Sequence, residues 1–345
     1  MQPIISIFLL LFVSFTISAN TEPSPALKAP LASKSLLLDI TLVNNKTLVA
    51  VGERGHILTS NDAINWQQAN VPVQSTLTGV YFYNELLGWA VGHDASILHT
   101  KDGGKNWLVQ QYLPSLQKPL FDILFKDEKN GIAIGAYGQF FRTTDGGENW
   151  VFEFNEDFLL PEDAEYLNEL KLEDEEAYLD EQASILPHFN RLFRDGRTLY
   201  LVGEIGLIAK SNDFGKSWEK FDEIYHGSFF DVTRTQHGNL LISGLRGNVF
   251  RSLKNGISWQ HIETGTTSSI NSIVLGDNGY IYLLGNNGTF LISKDDGNTF
   301  ISRTQDDGKP LINGVWFNGK IIAVSDVGIK TVTTLVSTIT SGLNK

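Results

Sequence analysis

The feature that most constrains this chain is an internal repeat with a period of about 41 residues. An apolar or small residue, a glycine or serine, two variable residues and a second small residue recur seven times. The copies read VGERG, VGHDA, IGAYG, VGEIG, SGLRG, LGNNG and VSDVG. Their second residues are Gly52, Gly92, Gly135, Gly203, Gly244, Gly285 and Ser325, at spacings of 40, 43, 68, 41, 41 and 40. A repeat of this length predicts one structural unit used seven times.

Two further patterns run in phase with the first. Ten residues after each glycine stands an aspartate, or Lys254 in one unit, and an aromatic residue follows. These pairs are Asp62 and Trp66, Asp102 and Trp107, Asp145 and Trp150, Asp213 and Trp218, Lys254 and Trp259, and Asp295 and Phe300. Each unit also begins with a small polar residue or glycine before apolar residues: DITL at 39, GVYF at 79, DILF at 122, NRLF at 190, DVTR at 231, SIVL at 272 and GVWF at 314. Three patterns with one period define seven units.

Each unit reads as four short strands separated by turns, such as LTGVYFY, GWAVG, SILHTK and NWLVQQ in the second. About 41 residues and four strands are the size of a propeller blade, so we predict an all-β, seven-bladed β-propeller. A β-solenoid is the alternative, although its repeats are shorter. The seventh unit lacks both the aspartate and the aromatic residue. Its fourth strand is either residues 335–340 or the segment after the N-terminal apolar run.

The S/T-x-D-x-G-x-x-W stretch, called the aspartate turn below, is the Asp-box or bacterial neuraminidase repeat. Its aspartate can accept hydrogen bonds from backbone N–H groups of the turn, and its glycines allow positive φ. Its tryptophan can fill the space between neighbouring blades. We therefore interpret the turn as structural. A calcium loop would need several more acidic residues than any unit offers.

Residues 1–19 are an apolar run that ends in a small residue, and we interpret them as a signal peptide cleaved near Ala19. A membrane anchor is the alternative, although the apolar part is shorter than the ~20 residues that a spanning helix needs. Residues 20–35 are a polar, proline-containing linker, and residues 36–345 form the propeller. Both interpretations predict an exported protein in the periplasm, or in the thylakoid lumen of a photosynthetic source. The anchor would make it membrane-associated.

The 68-residue spacing marks an insertion at 155–187, before blade 4. It holds twelve acidic residues and the single base Lys171, a net charge of −11 out of −12 for the whole chain. Pro161 and the acids after it predict a helix start. The residues Tyr166, Leu167, Leu170, Ala177 and Tyr178 form an apolar stripe at helical spacing, interrupted near Asp174.

The insertion has two interpretations. One is a solvated helical hairpin lying on the ring. The other is a docking element for a basic partner, with the charge run Glu173, Asp174, Glu175 and Glu176 at its centre. A metal site is disfavoured because no histidine stands among the acids.

Arginines replace expected apolar residues in blades 4 and 5. Arg191 follows the polar start residue of NRLF, and Arg234 ends DVTR. The same blades contain Arg194, Arg246 and Arg251. One hypothesis is that Arg191 and Arg234 pair with the acids of the insertion. The other is that the five arginines contact a carboxylate of a partner, since a guanidinium can bind one through two hydrogen bonds.

No catalytic motif, cofactor site or metal site is evident. The chain has no cysteine, its seven histidines lack zinc spacing, and it has neither a Gly-x-Ser-x-Gly turn nor a phosphate loop. The acidic net charge disfavours nucleic acid. Because Asp-box proteins include sialidases, a carbohydrate-binding or glycoside-hydrolysing propeller is the rival hypothesis. Three arginines over the central channel beside a Tyr–Glu pair would favour it.

The stretches LGWAVGHDASILHTKDGGKNW at 87–107 and GIAIGAYGQFFRTTDGGENW at 131–150 resemble the photosystem II stability and assembly factor family and its non-photosynthetic bacterial relatives. The resemblance covers seven units, roughly residues 36–340. It implies an exported, non-catalytic scaffold, which binds a membrane protein or a subunit of a membrane complex and assists assembly. We also expect a monomer without a cofactor. The insertion before blade 4 departs from the family pattern.

Overall fold

The computed structural model describes residues 22–253 and 255–332. The predicted signal peptide and the candidate closing strand at 335–340 lie outside the described residues. The described chain forms seven antiparallel sheets in sequence order, and neighbouring strands in each sheet are also neighbours in sequence. The seven-bladed β-propeller with four-stranded blades is therefore confirmed, with three strands of blade 7 described.

The blades have the following strands. Blade 1 contains β1 (Leu37–Val43), β2 (Thr47–Gly52), β3 (Ile57–Ser60) and β4 (Gln67–Gln68). Blade 2 contains β5 (Leu77–Phe82), β6 (Gly88–Gly92), β7 (Ile97–Thr100) and β8 (Leu108–Gln111). Blade 3 contains β9 (Leu120–Phe125), β10 (Gly131–Gly135), β11 (Phe140–Thr143) and β12 (Val151–Phe152). Blade 4 contains β13 (Phe189–Asp195), β14 (Thr198–Gly203), β15 (Ile208–Ser211) and β16 (Glu219–Lys220).

Blade 5 contains β17 (Phe229–Arg234), β18 (Leu240–Gly244), β19 (Val249–Leu253) and β20 (Ser258–Ile262). Blade 6 contains β21 (Ile270–Leu275), β22 (Ile281–Gly285), β23 (Thr289–Ser293) and β24 (Ile301–Thr304). Blade 7 contains β25 (Asn313–Phe317), β26 (Lys320–Ser325) and β27 (Gly328–Val332). Short 3-10 helices span Ala32–Lys34, Glu53–Gly55, His93–Ala95, Pro114–Leu116, Ala136–Gly138, Glu156–Phe158 and Leu245–Gly247.

The first strands of the blades line the centre of the ring. β1 contacts β5, each later first strand contacts the next, and β25 contacts β1, so the ring closes between blades 7 and 1. Each blade is a simple meander, which gives the ring two faces. The turn face carries the turns between first and second strands together with the aspartate turns. The insertion face carries the turns between second and third strands and the links to the next blade.

Hydrophobic clusters lie between the blades. The aromatic residue of each aspartate turn packs into a cluster shared with the preceding blade, as Trp107 does with Val49 and Ile57 of blade 1. Trp66, Trp150, Trp218, Trp259 and Phe300 occupy the equivalent clusters. Since each β-sheet buries both of its faces in this way, its inner strands are apolar on both sides; the second strand of blade 2, for example, is buried throughout.

Residues 22–35, described above as a linker, run along the outer edge of blade 1. The Ala26 N–H donates to the carbonyl of Val71 (2.9 Å), and Lys28 Nζ donates to the carbonyl of Ala69 (2.7 Å). This segment forms no strand, so it is not the fourth strand of blade 7.

The predicted helical insertion is confirmed. It contains α1 (Pro161–Glu173) and α2 (Glu175–Gln182), joined at Asp174. Of the predicted apolar stripe, Leu167 is buried and Leu170, Ala177 and Tyr178 are partly buried, but Tyr166 is exposed. Ala164 packs on the core instead of Tyr166, because it lies one turn before Leu167 on the same face of α1.

Candidate functional site

A belt of seven structurally equivalent residues surrounds the central channel. Each stands on the first strand of its blade, opposite the residue that precedes the repeat glycine or serine. The polar belt consists of Asp39, Gly79, Asp122, Arg191, Asp231, Ser272 and Asn313. Arg191 therefore occupies the polar position of blade 4, and Leu192 is the apolar residue after it. The interpretation of Arg191 as a replacement for an apolar residue is wrong by one position.

The belt side chains connect neighbouring blades by hydrogen bonds. The Oδ2 atoms of its three aspartates accept from N–H groups of the following blade, namely Val80, Leu192 and Ile273, each at 2.8 Å. Ser272 donates to Asn313 Oδ1 (2.6 Å), and Asn313 in turn donates to Asp39 across the closure of the ring. The belt thus connects blades 1 to 2, 3 to 4, 5 to 6, 6 to 7 and 7 to 1.

Arg191 is the cation of the belt. Its Nη1 lies 3.7 Å from Asp122 Oδ1, and its Nε lies 3.8 Å from Asp231 Oδ1. Burial raises the pKa of Asp122 to about 6, against the lowering effect of Arg191. Burial likewise raises the pKa values of Asp39 and Asp231. Burial opposes the charge of Arg191, but Asp122, Asp39 and Asp231 outweigh it and raise the pKa of the guanidinium.

The proposed pairing of Arg191 and Arg234 with the acids of the insertion is wrong. Arg191 pairs with belt aspartates, and Arg234 Nε contacts Asp195 Oδ2 at 2.5 Å. The reason is topological: β17 ends on the turn face, whereas the insertion leaves the ring on the opposite face.

The other arginines are dispersed. Arg194 and Arg234 occupy equivalent positions on β13 and β17, near the turn face, and Arg194 donates to the carbonyls of Gly196 and Lys126, both at 3.0 Å. Arg251 is buried and pairs with Asp296 of blade 6 at 3.1 Å. Arg246 is exposed in the turn between β18 and β19, on the insertion face. The five arginines do not form one patch.

The acidic insertion is held by contacts other than its charge run. Asp157 Oδ2 accepts from the backbone N–H of Trp218 (2.8 Å), and Lys220 Nζ donates to the carbonyl of Leu159 (2.9 Å). Lys118 donates to the carbonyl of Ala183. Glu173, Asp174, Glu175 and Glu176 are exposed at the joint between α1 and α2. Asp174 caps α2, since its Oδ1 accepts from the N–H groups of Glu176 and Ala177 (both 3.1 Å).

The aspartate turns have the geometry of local scaffolding. Asp102 Oδ1 accepts from the N–H groups of Lys105 (3.1 Å) and Asn106 (3.0 Å), and Gly103 and Gly104 have φ values of 74° and 87°. The remaining aspartates of the pattern, namely Asp62, Asp145, Asp213 and Asp295, accept equivalent bonds. The side chain and N–H of Asn149, followed by the Thr143 hydroxyl, lower the pKa of Asp145 to about 2.

Sequence reasoning missed the belt as a site. Its aspartates begin the DITL, DILF and DVTR motifs, and their recurrence at the same position of three repeats is the sequence signal that could have revealed the belt.

Within the described part of the chain, no group of three or more His, Asp or Glu side chains is placed to hold a metal ion. Among the described residues, no three of the five predicted contact arginines meet over the central channel, which is the arrangement that would favour the glycoside-hydrolysing hypothesis. In residues 22–253 and 255–332, no helix has the length and apolar character to cross a membrane.

Comparisons with known proteins place these features in context. The family model described as photosynthesis system II assembly factor YCF48 matches residues 59–117, which include all four strands of blade 2. The photosystem II assembly protein Ycf48 of Synechococcus sp. (strain JA-2-3B'a(2-13)) is 39% identical over 56 residues. That match covers 16% of this chain and 16% of the Synechococcus protein. The resemblance to the photosystem II assembly factor family is thereby confirmed.

Two solved structures show the likeness of the fold. The structure of YCF48 bound to D1 peptide has a TM-score of 0.66 and 19% identity, covering 90% of this chain and 99% of that one. Virginiamycin B lyase from Staphylococcus aureus has the same TM-score of 0.66 at 11% identity, with coverages of 88% and 96%. Because one of these propellers is named as a lyase, the fold alone does not separate a binding scaffold from an enzyme.

Proposed function

We propose that this chain is an exported, monomeric, non-catalytic scaffold that binds a membrane protein and assists the assembly or stability of its complex. The observation that carries the proposal is the match of the YCF48 family model to residues 59–117. The likeness of the ring to YCF48 bound to D1 peptide supports it, because that protein binds a peptide on the same fold. The proposed location is the periplasm, or the thylakoid lumen of a photosynthetic source.

The belt makes the ring a rigid platform rather than a reaction centre. Asp39, Asp122 and Asp231 each accept a backbone N–H of the next blade, and Arg191 lies between two of them. The carboxylates are therefore engaged in connecting blades. This arrangement supports binding on the two faces of the ring, where the turns present varied side chains.

Of the five arginines predicted to contact a partner, Arg246 is the best placed to do so. It is exposed on the insertion face, and in the described residues its guanidinium has neither an ion-pair partner nor a side-chain hydrogen bond. It borders a cavity with His261, Glu263 and Thr264. We propose that Arg246 binds a carboxylate of the partner, whereas Arg191, Arg234 and Arg251 hold the blades together.

Affinity capture tests the proposal. The full chain with a C-terminal tag is incubated with detergent-solubilised membranes of its source organism, and an excess of untagged chain serves as the competitor control. The proposal expects one integral membrane protein to be enriched and to be displaced by the competitor. Failure to enrich a membrane protein, or hydrolysis of a fluorogenic sialoside by the purified chain, would contradict it.

A further inference from the structure

An apolar groove lies between the acidic insertion and blade 4, on the insertion face. Its volume is about 290 Å³. Leu160 and Ile185 of the insertion form one wall, and Ile205, Leu207 and Phe221 of blade 4 form the other. A space of this size is at the lower limit of small-molecule pockets, so it suits one or two side chains of a docked peptide.

The rim of the groove is acidic. Asp163, Glu204 and Glu223 line it together with Lys220 and His226. The Nδ1 atom of His226 lies 3.2 Å from Glu223 Oε1, and that of His188 lies 3.4 Å from Glu204 Oε2, so each of these carboxylates has one histidine neighbour. The ammonium group of Lys220 donates to the carbonyl of Leu159 and is therefore engaged within the protein. The insertion that forms one wall has a net charge of −11 between residues 155 and 187. An incoming chain meets an apolar floor surrounded by negative charge.

Ile205 has an unusual backbone conformation at the lip of the groove. Its φ is 53°, in the left-handed region that a β-branched residue rarely adopts, and 58% of its surface is exposed. Arg54, Asp94, Tyr137, Arg246 and Asn287 occupy the equivalent left-handed positions of blades 1, 2, 3, 5 and 6. Ile205 is thus the one β-branched residue among these six positions, with an exposed, wholly apolar side chain in a costly conformation, whereas the exposed Tyr137 carries a hydroxyl. Such an outlier indicates a role outside the stability of the free chain.

We propose that this groove, called the insertion groove, binds a segment of the partner chain in which a leucine- or phenylalanine-sized side chain is flanked by lysine or arginine. The apolar side chain enters between Leu160 and Ile205, and the flanking cations lie against Asp163, Glu204 and Glu223. The inference rests on the proposed function, because it specifies the chemistry of the partner. It also gives the acidic insertion the docking role that its charge suggests.

Fluorescence anisotropy with matched peptides tests this chemistry. The probes are two labelled peptides with a central Leu-Phe pair, flanked by lysines in one and by glutamates in the other, each titrated with the full chain. We expect the lysine peptide to bind at least ~10-fold more tightly at low salt, and the difference to shrink as salt is added. Equal binding of the two peptides, or binding of neither, would overturn the proposal.

Two variants locate the binding. Ile205→Asn removes the apolar lip and keeps a residue that tolerates positive φ, so the fold is retained. It should weaken the lysine peptide by about 5- to 10-fold. The matched control is Ile64→Asn, which changes an isoleucine of 81% exposure on the turn face. The double variant Glu204→Gln with Glu223→Gln should weaken the lysine peptide and leave the glutamate peptide no weaker. Unchanged affinity in both groove variants would overturn the proposal.

The capture experiment separates this inference from the proposed function. If Ile205→Asn still captures the membrane partner and the wild-type chain ignores the lysine peptide, the insertion groove is not the docking site, although the scaffold function stands. If the lysine peptide binds as expected but no membrane protein is captured, the groove stands and the proposed function fails.

Discussion

Arg191 of blade 4 lies 3.7 Å from Asp122 of blade 3, with Nη1 facing Oδ1 at the centre of the ring. The contact joins the first strands of two blades by opposite charges, with Asp122 buried and Arg191 partly buried. The same guanidinium approaches Asp231 of blade 5 at 3.8 Å. One side chain therefore connects three blades, including the blade that follows the insertion.

The first prediction concerns the charge of Arg191. Arg191→Met should lower the free energy of unfolding at pH 7 by about 3 kcal/mol, because it leaves buried carboxylates without their cation. The control is Arg194→Met on the same strand, which removes hydrogen bonds of an exposed side chain to two carbonyls and should cost roughly 1 kcal/mol. Urea denaturation followed by tryptophan fluorescence measures both. Equal losses in the two variants would show that the belt ion pairs contribute little.

The second prediction concerns the pH dependence of the belt. Burial raises the pKa of Asp122 from the ordinary aspartate value of 3.8 to about 6, so in this range the folded chain holds a proton that the unfolded chain has released. Between about pH 4 and pH 6 this group lowers the free energy of unfolding as pH rises, by roughly 3 kcal/mol in total. Asp122→Asn keeps an acceptor for the Leu192 N–H and removes the titration.

The measurement is the unfolding free energy of wild type and Asp122→Asn at several pH values across this window. The difference between the two curves should change steadily with pH, with the variant relatively more stable at the upper end. Parallel curves would show that Asp122 titrates at its ordinary pKa. The aspartate turns do not interfere, because the pKa of Asp145, for example, is lowered to about 2 and lies below the window.

The ring could be predicted from the sequence because its unit is local. The three phased patterns identify strands and turns that form within about 41 residues, and the structure has seven such units. The position of Arg191 could not be assigned in the same way. Asn190 is also a small polar residue, so the motif fits one residue too early. The β-bulge between Phe189 and Arg191 sets the pairing of β13 with β14 and so places Arg191, not Asn190, at the belt position. The sequence motif does not show this bulge, and a shift of one residue turns a side chain to the other face of the sheet.

The candidate site was less predictable for the same physical reason. Arg191 and its partners Asp122 and Asp231 come from three different units, about 70 and 40 residues apart, and closure of the ring brings them together. Arg234 pairs with Asp195 rather than with the insertion, because Arg234 lies near the turn face and the insertion leaves the ring on the opposite face. The order of the strands determines these faces, and the charges of the residues do not reveal it. The insertion itself was predictable because Pro161 and the acids after it are a local helix start.

The third prediction concerns the aspartate turn of blade 2. Asp102→Ala leaves the N–H groups of Lys105 and Asn106 without their acceptor and should lower the free energy of unfolding by about 1 to 2 kcal/mol. Asp102→Asn retains a side-chain oxygen and should lose less than half as much. Thermal unfolding of the two variants measures the difference. If the alanine and asparagine variants melt together with wild type, these hydrogen bonds are not what holds the turn.

The fourth prediction tests Arg246 as a contact of the partner. Arg246 and Arg54 occupy the same position in the turns of blades 5 and 1, with φ values of 57° and 55°, so they form a matched pair on one face. Arg246→Asn should reduce recovery of the captured membrane protein by about 10-fold, since a guanidinium bound to a carboxylate is lost. Arg54→Asn makes the same chemical change in blade 1 and should leave recovery unchanged. Asparagine tolerates the left-handed conformation at both sites, so a fall in recovery reports binding rather than folding.

Equal recovery with both variants would exclude Arg246 as the contact, and equal loss with both would indicate general electrostatic attraction to this face.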